Sequence, residues 1–501
     1  MSKIKFGTDG WRAVIAEDFT FDNLGLVIEA LSLYLKQNNS WQKGIFIGYD
    51  NRFLSEDFAK HCANILSKNG IKTFIASESV PTPLTAFMAL NMGLNGSLMI
   101  TASHNPSKYN GIKFMPFYGG PAQDSVTEEI EKNIGIVITA RQIQIKEESG
   151  IKDNGISLHG HEIREINSAD ACNAAITPIS DFTDYTKKLL GLIDIKIIKE
   201  SGLKIAADTM FGSGSALLSK IITEYLGINA VFLNNYRDPL FGGRLPDPSD
   251  KNLSDLREKV LKEKLDIGIA LDGDADRFGV IDGKGVFISP NDSIAIILNY
   301  LIETKQFDIN DVAARTVATT HLIDEICDSN DIGIIETPVG FKYIGKAMLA
   351  GNVIIGGEES GGLSIKGHIP EKDGLLANLK MLEIQSYLKK YRNSWHISDY
   401  LESIYDKYGH FYNTRMDIEV QQDKKIKVIQ NFLNLAGQEI NGIKVTGVSD
   451  IDGAKVLLEN KSWLLVRASG TEPLIRCYVE STNLKYFDKL QKYASEVIQN
   501  I

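Results

Sequence analysis

Cysteine is scarce: Cys62, Cys172, Cys327 and Cys477 are the only four in 501 residues. No two lie close enough in sequence to make a CxxC pair or a zinc knuckle. A disulfide framework is excluded, which points to a reducing compartment. Long apolar runs are also missing. The longest, residues 294–302, is interrupted by Asn299 and Tyr300. It reaches about half the ~20 residues a membrane-spanning helix needs. The opening segment, Met1 to Gly7, has no apolar stretch of signal-peptide type. The expectation is a cytoplasmic protein with no membrane partner. A basic surplus is absent too: 54 Lys and Arg face 64 Asp and Glu, a net charge of −10. Nucleic acid is therefore not an expected partner. No segment is of low complexity.

What is present is an ordinary globular composition, 43% apolar and 24% charged. The length suggests about three or four domains. One pattern recurs three times. Residues 44–50 form an apolar run ending at Asp50; a helical stretch Ser55–Lys68, a Gly turn and a second run at 71–75 follow. A second copy has runs at 203–208 and 228–233 around a helical stretch near 215–225. A weaker third has runs at 311–315 and 332–335 around a helical stretch near 322–327. Strand, helix, Gly turn, strand is βαβ grammar, which predicts mostly parallel sheets covered by helices. Three similar α/β domains or one large sheet would both produce it; the length favours three.

The C-terminal part reads differently. Strand patterns at 414–420, 444–448, 455–458, 463–466 and 475–480 are flanked by helical patterns at 424–435 and 485–498. That predicts a smaller α+β domain with an antiparallel sheet. Residues 375–390 have helical spacing and form an expected linker helix. The stretch 140–184 has weak periodicity and is expected to hold loops and the first domain boundary. The expected fold class is α/β: three similar mixed or parallel-sheet domains plus the α+β domain. The expected divisions are 1–145, 146–288, 289–374 and 375–501.

Four loops could carry chemistry. The first is Thr101-Ala102-Ser103-His104-Asn105-Pro106, after the apolar run 97–100. Open α/β sheets place ligands at such strand ends. Ser103 beside His104 could be a nucleophile beside its base, or part of a Ser/Asn/Pro turn. No GxSxG elbow is present, so an α/β-hydrolase is disfavoured. The second is Asp272-Gly273-Asp274-Ala275-Asp276-Arg277, delivered by the buried-strand pattern 265–271. Alternating residues of an extended segment share a side, so three carboxylates can converge. Their mutual repulsion needs a cation, and hard oxygen ligands suit Mg²⁺ or Ca²⁺. The positions an EF-hand requires to be Gly and Glu hold Arg277 and Gly283.

The third loop is Gly356-Gly357-Glu358-Glu359-Ser360-Gly361-Gly362. Its glycines allow close backbone approach to a ligand, and Glu358 and Ser360 can hold hydroxyls, although a plain Gly turn would look the same. The fourth is Arg467-Ala468-Ser469-Gly470-Thr471-Glu472-Pro473, with Arg476 beyond it. Hydroxyls, a Gly loop and two guanidinium groups suit a phosphate dianion. Arg12, Lys113 and Lys342 lie near turns. Each alone reads as a solvated surface cation; together they could supply positive potential to an acidic protein handling phosphate.

Taken together, in this order, the four loops resemble those of the α-D-phosphohexomutases, the phosphoglucomutase/phosphomannomutase family. The resemblance runs from Gly7 to Arg476. It implies four domains around a central cleft, each giving one loop. It implies that Ser103 carries a phosphoryl group, completing with Asp272, Asp274 and Asp276 the site of one Mg²⁺ per chain. It further implies that Glu358 and Ser360 hold sugar hydroxyls, and that Arg467, Ser469, Gly470, Thr471 and Arg476 hold the non-reacting phosphate. Arg12, His104, Lys113, Arg277 and Lys342 match positions around the reacting phosphoryl group.

The implied reaction interconverts hexose 1-phosphate and hexose 6-phosphate through a hexose 1,6-bisphosphate, which also serves as activator. The implied partner is a hexose phosphate, with the chain a monomer or homodimer. The loop ends in Gly362, where bispecific and glucosamine-type members commonly carry His, and the pair Glu358-Glu359 resembles glucose-type members. Glucose phosphates are therefore the expected substrates. The alternatives are a phosphomannomutase or dual enzyme, then a phosphoglucosamine mutase or an inactive sugar-phosphate sensor. A phosphatase using the acidic loop is disfavoured, because it needs no second phosphate cradle.

Overall fold

A computed structural model describes residues 4–7, 9–148, 173–469 and 472–500. Cys172, Gly470, Thr471 and residues 149–172 of the polar stretch lie outside them. The chain divides into two compact units. One comprises the described residues up to Ile281 with His368–Leu379; the other comprises Asp282–Gly367 with the described residues from Lys380 on.

The first unit holds two sheets. In the first, the strand order is Trp11–Val14, Tyr109–Pro116, Gly96–Ile100, Ile45–Tyr49, Thr73–Ala76, Ile176–Ile179. Ile45–Tyr49 pairs parallel with both neighbours, whereas Tyr109–Pro116 runs antiparallel to Gly96–Ile100. Every residue of Ile45–Tyr49 and of Gly96–Ile100 is buried, as expected where helices cover both faces of a sheet. Ser55–Lys68 is a helix with the bounds its spacing predicts. Ile176–Ile179, beyond the boundary expected at 145, pairs parallel with Thr73–Ala76 at the sheet edge. The second sheet includes, in order, Phe278–Asp282, Ile267–Leu271, Ile205–Asp208 and Val231–Leu233.

The second unit also holds two sheets. The first runs Gly333–Thr337, Val312–Thr316, Val353–Gly357, Leu363–Ile365, parallel except for the last, antiparallel pair. The other, in order Tyr412–Glu419, Leu474–Ser481, Trp463–Ala468, Ala454–Leu458, Ile443–Ser449, Glu439–Ile440, is antiparallel throughout. Helices Lys425–Leu433 and Leu484–Gln499 supply Val428, Phe432, Leu490 and Ile498 to its core, against Val456, Leu464 and Val479. Each such side chain contributes about 1.5–3 kcal/mol on full burial. The expected linker helix spans Gly374–Tyr391.

The three α/β sheets share one strand order. Numbering each copy's strands along the chain, they lie side by side in the order second, first, third, fourth; in the first sheet Ile176–Ile179 adds one strand outside the second. The loops at 101–108, 272–277 and 358–362 all connect third to fourth strands. The three candidate loops are thus the same loop, three times over. The apolar run 294–302 lies within the helix Pro290–Glu303, whose 14 residues cannot cross a bilayer. Among the described residues no helix is long and apolar enough to do so.

Candidate active site

In the first unit the strand Gly96–Ile100 leads into the loop of Ser103, which is 1% exposed with a left-handed φ of 51°. Its hydroxyl donates to Asp272 Oδ2 at 3.1 Å and lies 3.2 Å from His104 Nδ1. Arg277, burial and Arg12, in that order, hold the imidazole well below its ordinary pKa, so it is neutral near pH 7. The Arg277 backbone N–H donates to Asp272 Oδ1 at 3.0 Å. Arg12 donates to Asn105 Oδ1 at 2.9 Å.

The strand Ile267–Leu271 delivers Asp272, Asp274 and Asp276, each at most 1% exposed. One ligand atom from each lies within 4.8 Å of the others. Burial, then the charges of Asp274 and Asp276, push the Asp272 carboxyl well above the ordinary carboxylate range. Burial would raise Asp274 as well, but Lys113 and the Thr82 hydroxyl hold it low. Lys113 Nζ reaches Asp274 Oδ2 at 2.9 Å and Asp276 Oδ2 at 2.8 Å. The other oxygens, Oδ1 of Asp274 and Oδ1 of Asp276, are buried with no hydrogen-bond partner among the described residues. Buried acceptors left unpaired are costly. Hard oxygens of this kind fit a small divalent cation.

Lys113 corrects its expected setting. It lies in the strand Tyr109–Pro116, not a turn, and is 2% exposed, not solvated. The run 109–116 alternates poorly because seven of its eight residues are buried. Three further residues join the cluster without having been singled out. Asp9 pairs with Lys113 at 2.9 Å. Thr82 donates to Asp274 Oδ2 at 2.6 Å. Lys372 lies 3.5 Å from both Asp9 and Asp276, and 2.9 Å from Glu371. The sequence signal for Lys372 is three consecutive charges, Glu371-Lys372-Asp373, directly before an apolar helix.

In the second unit, Glu358 is 5% exposed and its Oε1 accepts from Gly340 N at 3.0 Å. The turn closes through Glu358 N to Gly362 O at 2.9 Å and Gly361 N to Glu358 O at 3.0 Å. Ser360 is half-buried, and Glu359 accepts from the Thr316 hydroxyl at 3.1 Å. Lys342 lies in the first turn of the helix Phe341–Met348 and is 7% exposed, again not a solvated cation. Two of the loop's glycines serve packing rather than ligand approach. A Cβ on Gly356 would lie 2.4 Å from Ile344, and one on Gly357 2.5 Å from Ile294. Gly361, at φ 95°, is where the turn needs glycine.

In the antiparallel sheet Arg467 and Arg476 stand opposite each other on paired strands. Like charges so placed repel unless balanced. Arg467 pairs with Asp452 at 2.8 Å and Arg476 with Glu472 at 3.2 Å. Both Nε atoms are buried and find no partner among the described residues. Ser469 is 4% exposed, its carbonyl held by Lys425 at 2.8 Å. The arrangement can accept an anion with several oxygens.

The comparisons agree with this architecture. Four family profiles match in order: phosphoglucomutase/phosphomannomutase alpha/beta/alpha domain I at residues 3–140, domain II at 183–285, domain III at 289–408, and the C-terminal domain at 418–497. The phosphoglucomutase/phosphomannomutase of Thermococcus kodakarensis is 28% identical over 97% of this chain and 96% of its own. The phosphoglucosamine mutase of Methanocaldococcus jannaschii is 30% identical over 84% of each chain. A solved Thermus thermophilus structure superposes with a TM-score of 0.79 at 28% identity, covering 99% of both chains. With four domains matched in order and relatives covered almost end to end, the chain belongs to the phosphoglucomutase/phosphomannomutase family, the α-D-phosphohexomutases, enzymes of the isomerase class.

Proposed function

We propose that the chain interconverts glucose 1-phosphate and glucose 6-phosphate through phospho-Ser103 and glucose 1,6-bisphosphate. The observation that carries this is the Ser103 hydroxyl 3.1 Å from Asp272, beside two buried carboxylate oxygens with no partner among the described residues. Asp272, Asp274, Asp276 and the Ser103 phosphate would hold one Mg²⁺, which would neutralise charge on the transferring group. Phosphoryl transfer through a loose transition state needs positioning and charge neutralisation more than covalent help. Lys113, Arg12, Arg277 and Lys342 supply further positive charge. His104, neutral near pH 7, can accept a hydrogen bond from an attacking sugar hydroxyl. Glu358 and Ser360 hold sugar hydroxyls. Arg467, Ser469, Gly470, Thr471 and Arg476 grip the phosphate that does not react.

Glu359 beside Glu358, with Gly362 ending the loop, supports glucose over mannose and glucosamine. The test is a coupled assay on glucose 1-phosphate, mannose 1-phosphate and glucosamine 1-phosphate, with Mg²⁺ and a trace of the matching bisphosphate. Preference for glucose 1-phosphate, lost in Ser103→Ala, is the expected result. Equal rates on glucose and mannose would replace the assignment with a dual enzyme. Activity surviving in Ser103→Ala would overturn the phosphoserine mechanism.

A further inference from the structure

Arg52 lies outside the four loops, yet its side chain is fully buried within hydrogen-bond reach of the one that carries Ser103. All five guanidinium N–H bonds have acceptors. Nε donates to Asp50 Oδ2 at 3.1 Å. Nη1 donates to the carbonyls of Pro106 at 2.9 Å and Tyr109 at 3.1 Å. Nη2 donates to the carbonyls of Ser103 at 2.5 Å and Asn105 at 2.7 Å. A guanidinium carries five donors in a rigid planar fork, and here the loop folds its carbonyls round that fork. Asp50 anchors the fork from behind. Its other contacts are the Ser55 hydroxyl at 2.7 Å, the Arg52 backbone N–H at 3.0 Å and the Thr101 hydroxyl at 2.6 Å. The Thr101 oxygen in turn accepts from Ser103 N at 2.8 Å. Asp50 and Arg52 thus hold the Ser103 backbone from its N–H and its carbonyl at once.

That grip has a conformational consequence. Ser103 sits at φ 51°, a region where a residue with a Cβ is held only by its surroundings. The metal-loop backbone also presses on it: a Cβ on Gly273 would lie 2.8 Å from Ser103 O. Turning Ser103 back to negative φ would break its bond to Arg52. We infer that Arg52 is a positioning residue that sets the angle at which Ser103 offers its oxygen, acting through the backbone carbonyls without touching substrate. This rests on the phosphoserine mechanism proposed above. Lysine cannot substitute, because three donors on a flexible stem cannot span four carbonyls and a carboxylate.

The experiment compares wild type, Arg52→Lys, Arg52→Ala and Asp50→Asn on glucose 1-phosphate with glucose 1,6-bisphosphate and Mg²⁺. It reads kcat and KM separately, and the extent of Ser103 phosphorylation by intact mass after incubation with the bisphosphate. Circular dichroism and the Mg²⁺-dependent rise in Tm show which variants are folded. For folded Arg52→Lys, kcat is expected to fall about 100-fold, the scale of an ångström-sized misplacement, with KM changed less than about threefold. Ser103 phosphorylation slows in parallel, and guanidinium at non-denaturing concentration restores part of the kcat of Arg52→Ala. Should Arg52→Lys fail to fold, Asp50→Asn decides: a folded protein with lowered kcat and slowed phosphorylation supports the inference, and wild-type values overturn it. Folded Arg52→Lys with wild-type kcat, or with a loss confined to KM, overturns it as well. A wild type that neither turns over nor takes up phosphate removes the phosphoserine reading itself, and this inference with it.

Discussion

Lys113 Nζ lies between Asp274 and Asp276, 2.9 Å from one carboxylate and 2.8 Å from the other, with all three side chains nearly inaccessible. The lysine binds one oxygen of each acid, and the second oxygen of each has no partner among the described residues. It therefore stabilises the acidic loop and leaves oxygens that could hold a divalent cation.

Lys113→Met should destabilise the protein by roughly 3–5 kcal/mol in EDTA, because breaking a buried ion pair leaves uncompensated charge. Mg²⁺ should return part of that loss by supplying another cation. Urea denaturation with and without Mg²⁺ measures both. An unchanged midpoint in EDTA would show that the pair contributes nothing.

Mg²⁺ should raise the Tm of the wild type. At ~100 times its dissociation constant the added stability is about 2.7 kcal/mol. Asp274→Asn replaces a buried carboxylate with a neutral amide and should abolish most of that rise. Calorimetry of both proteins against Mg²⁺ checks it; equal shifts would place the ion elsewhere.

Glu480 is fully buried, and burial raises its carboxyl to about 7 despite hydrogen bonds from Trp463 Nε1 at 2.7 Å and His321 N at 2.8 Å. Its folded pKa lies above the ordinary glutamate value of 4.5. The folded chain therefore binds the extra proton between those values. The contribution is complete below about 4.5 and is lost as pH rises through about 7. It amounts to at most about 3 kcal/mol. In Glu480→Gln the decline in denaturation free energy across that window should flatten. Parallel curves for the two proteins would contradict this.

Arg476→Gln should raise KM for a hexose monophosphate roughly 10- to 100-fold, the worth of one or two charge-assisted hydrogen bonds. In the proposed role Arg476 grips the phosphate that does not react, so kcat should move less. Steady-state kinetics separate the two, and a loss confined to kcat would contradict the assigned role.

Much of the fold was legible in local pattern. The helix Ser55–Lys68 has its predicted bounds, and the antiparallel C-terminal sheet follows from closely spaced strand signals. The strand Tyr109–Pro116 was not legible. Its asparagine, glycine and lysine imitate a turn, because each answers a tertiary neighbour rather than a neighbour in sequence. Asn110 donates to the Ser55 hydroxyl at 3.0 Å, a Cβ on Gly111 would lie 2.5 Å from Thr101 O, and Lys113 meets the aspartates. Lys342 was misjudged for the same reason: a lysine in a local window looks solvated until the chain packs around it.

The order of the four loops is a property of the linear chain, and it was enough to identify the family. The residue types within them, three alternating aspartates and a serine after an apolar strand, suggested where chemistry could sit, while their roles came from the resemblance. Position within the site was decided elsewhere. Asp9, Arg52 and Thr82 carry no motif that marks them, and Lys372 only a run of charges; Arg52, Thr82 and Lys372 reach the Ser103 or aspartate loop from distant points of the chain, and Asp9 joins through Lys113. Local pattern reports what a residue does for its own strand or helix. Burial of charge is settled only when separate segments meet, because a cation can leave water only where several acceptors already converge.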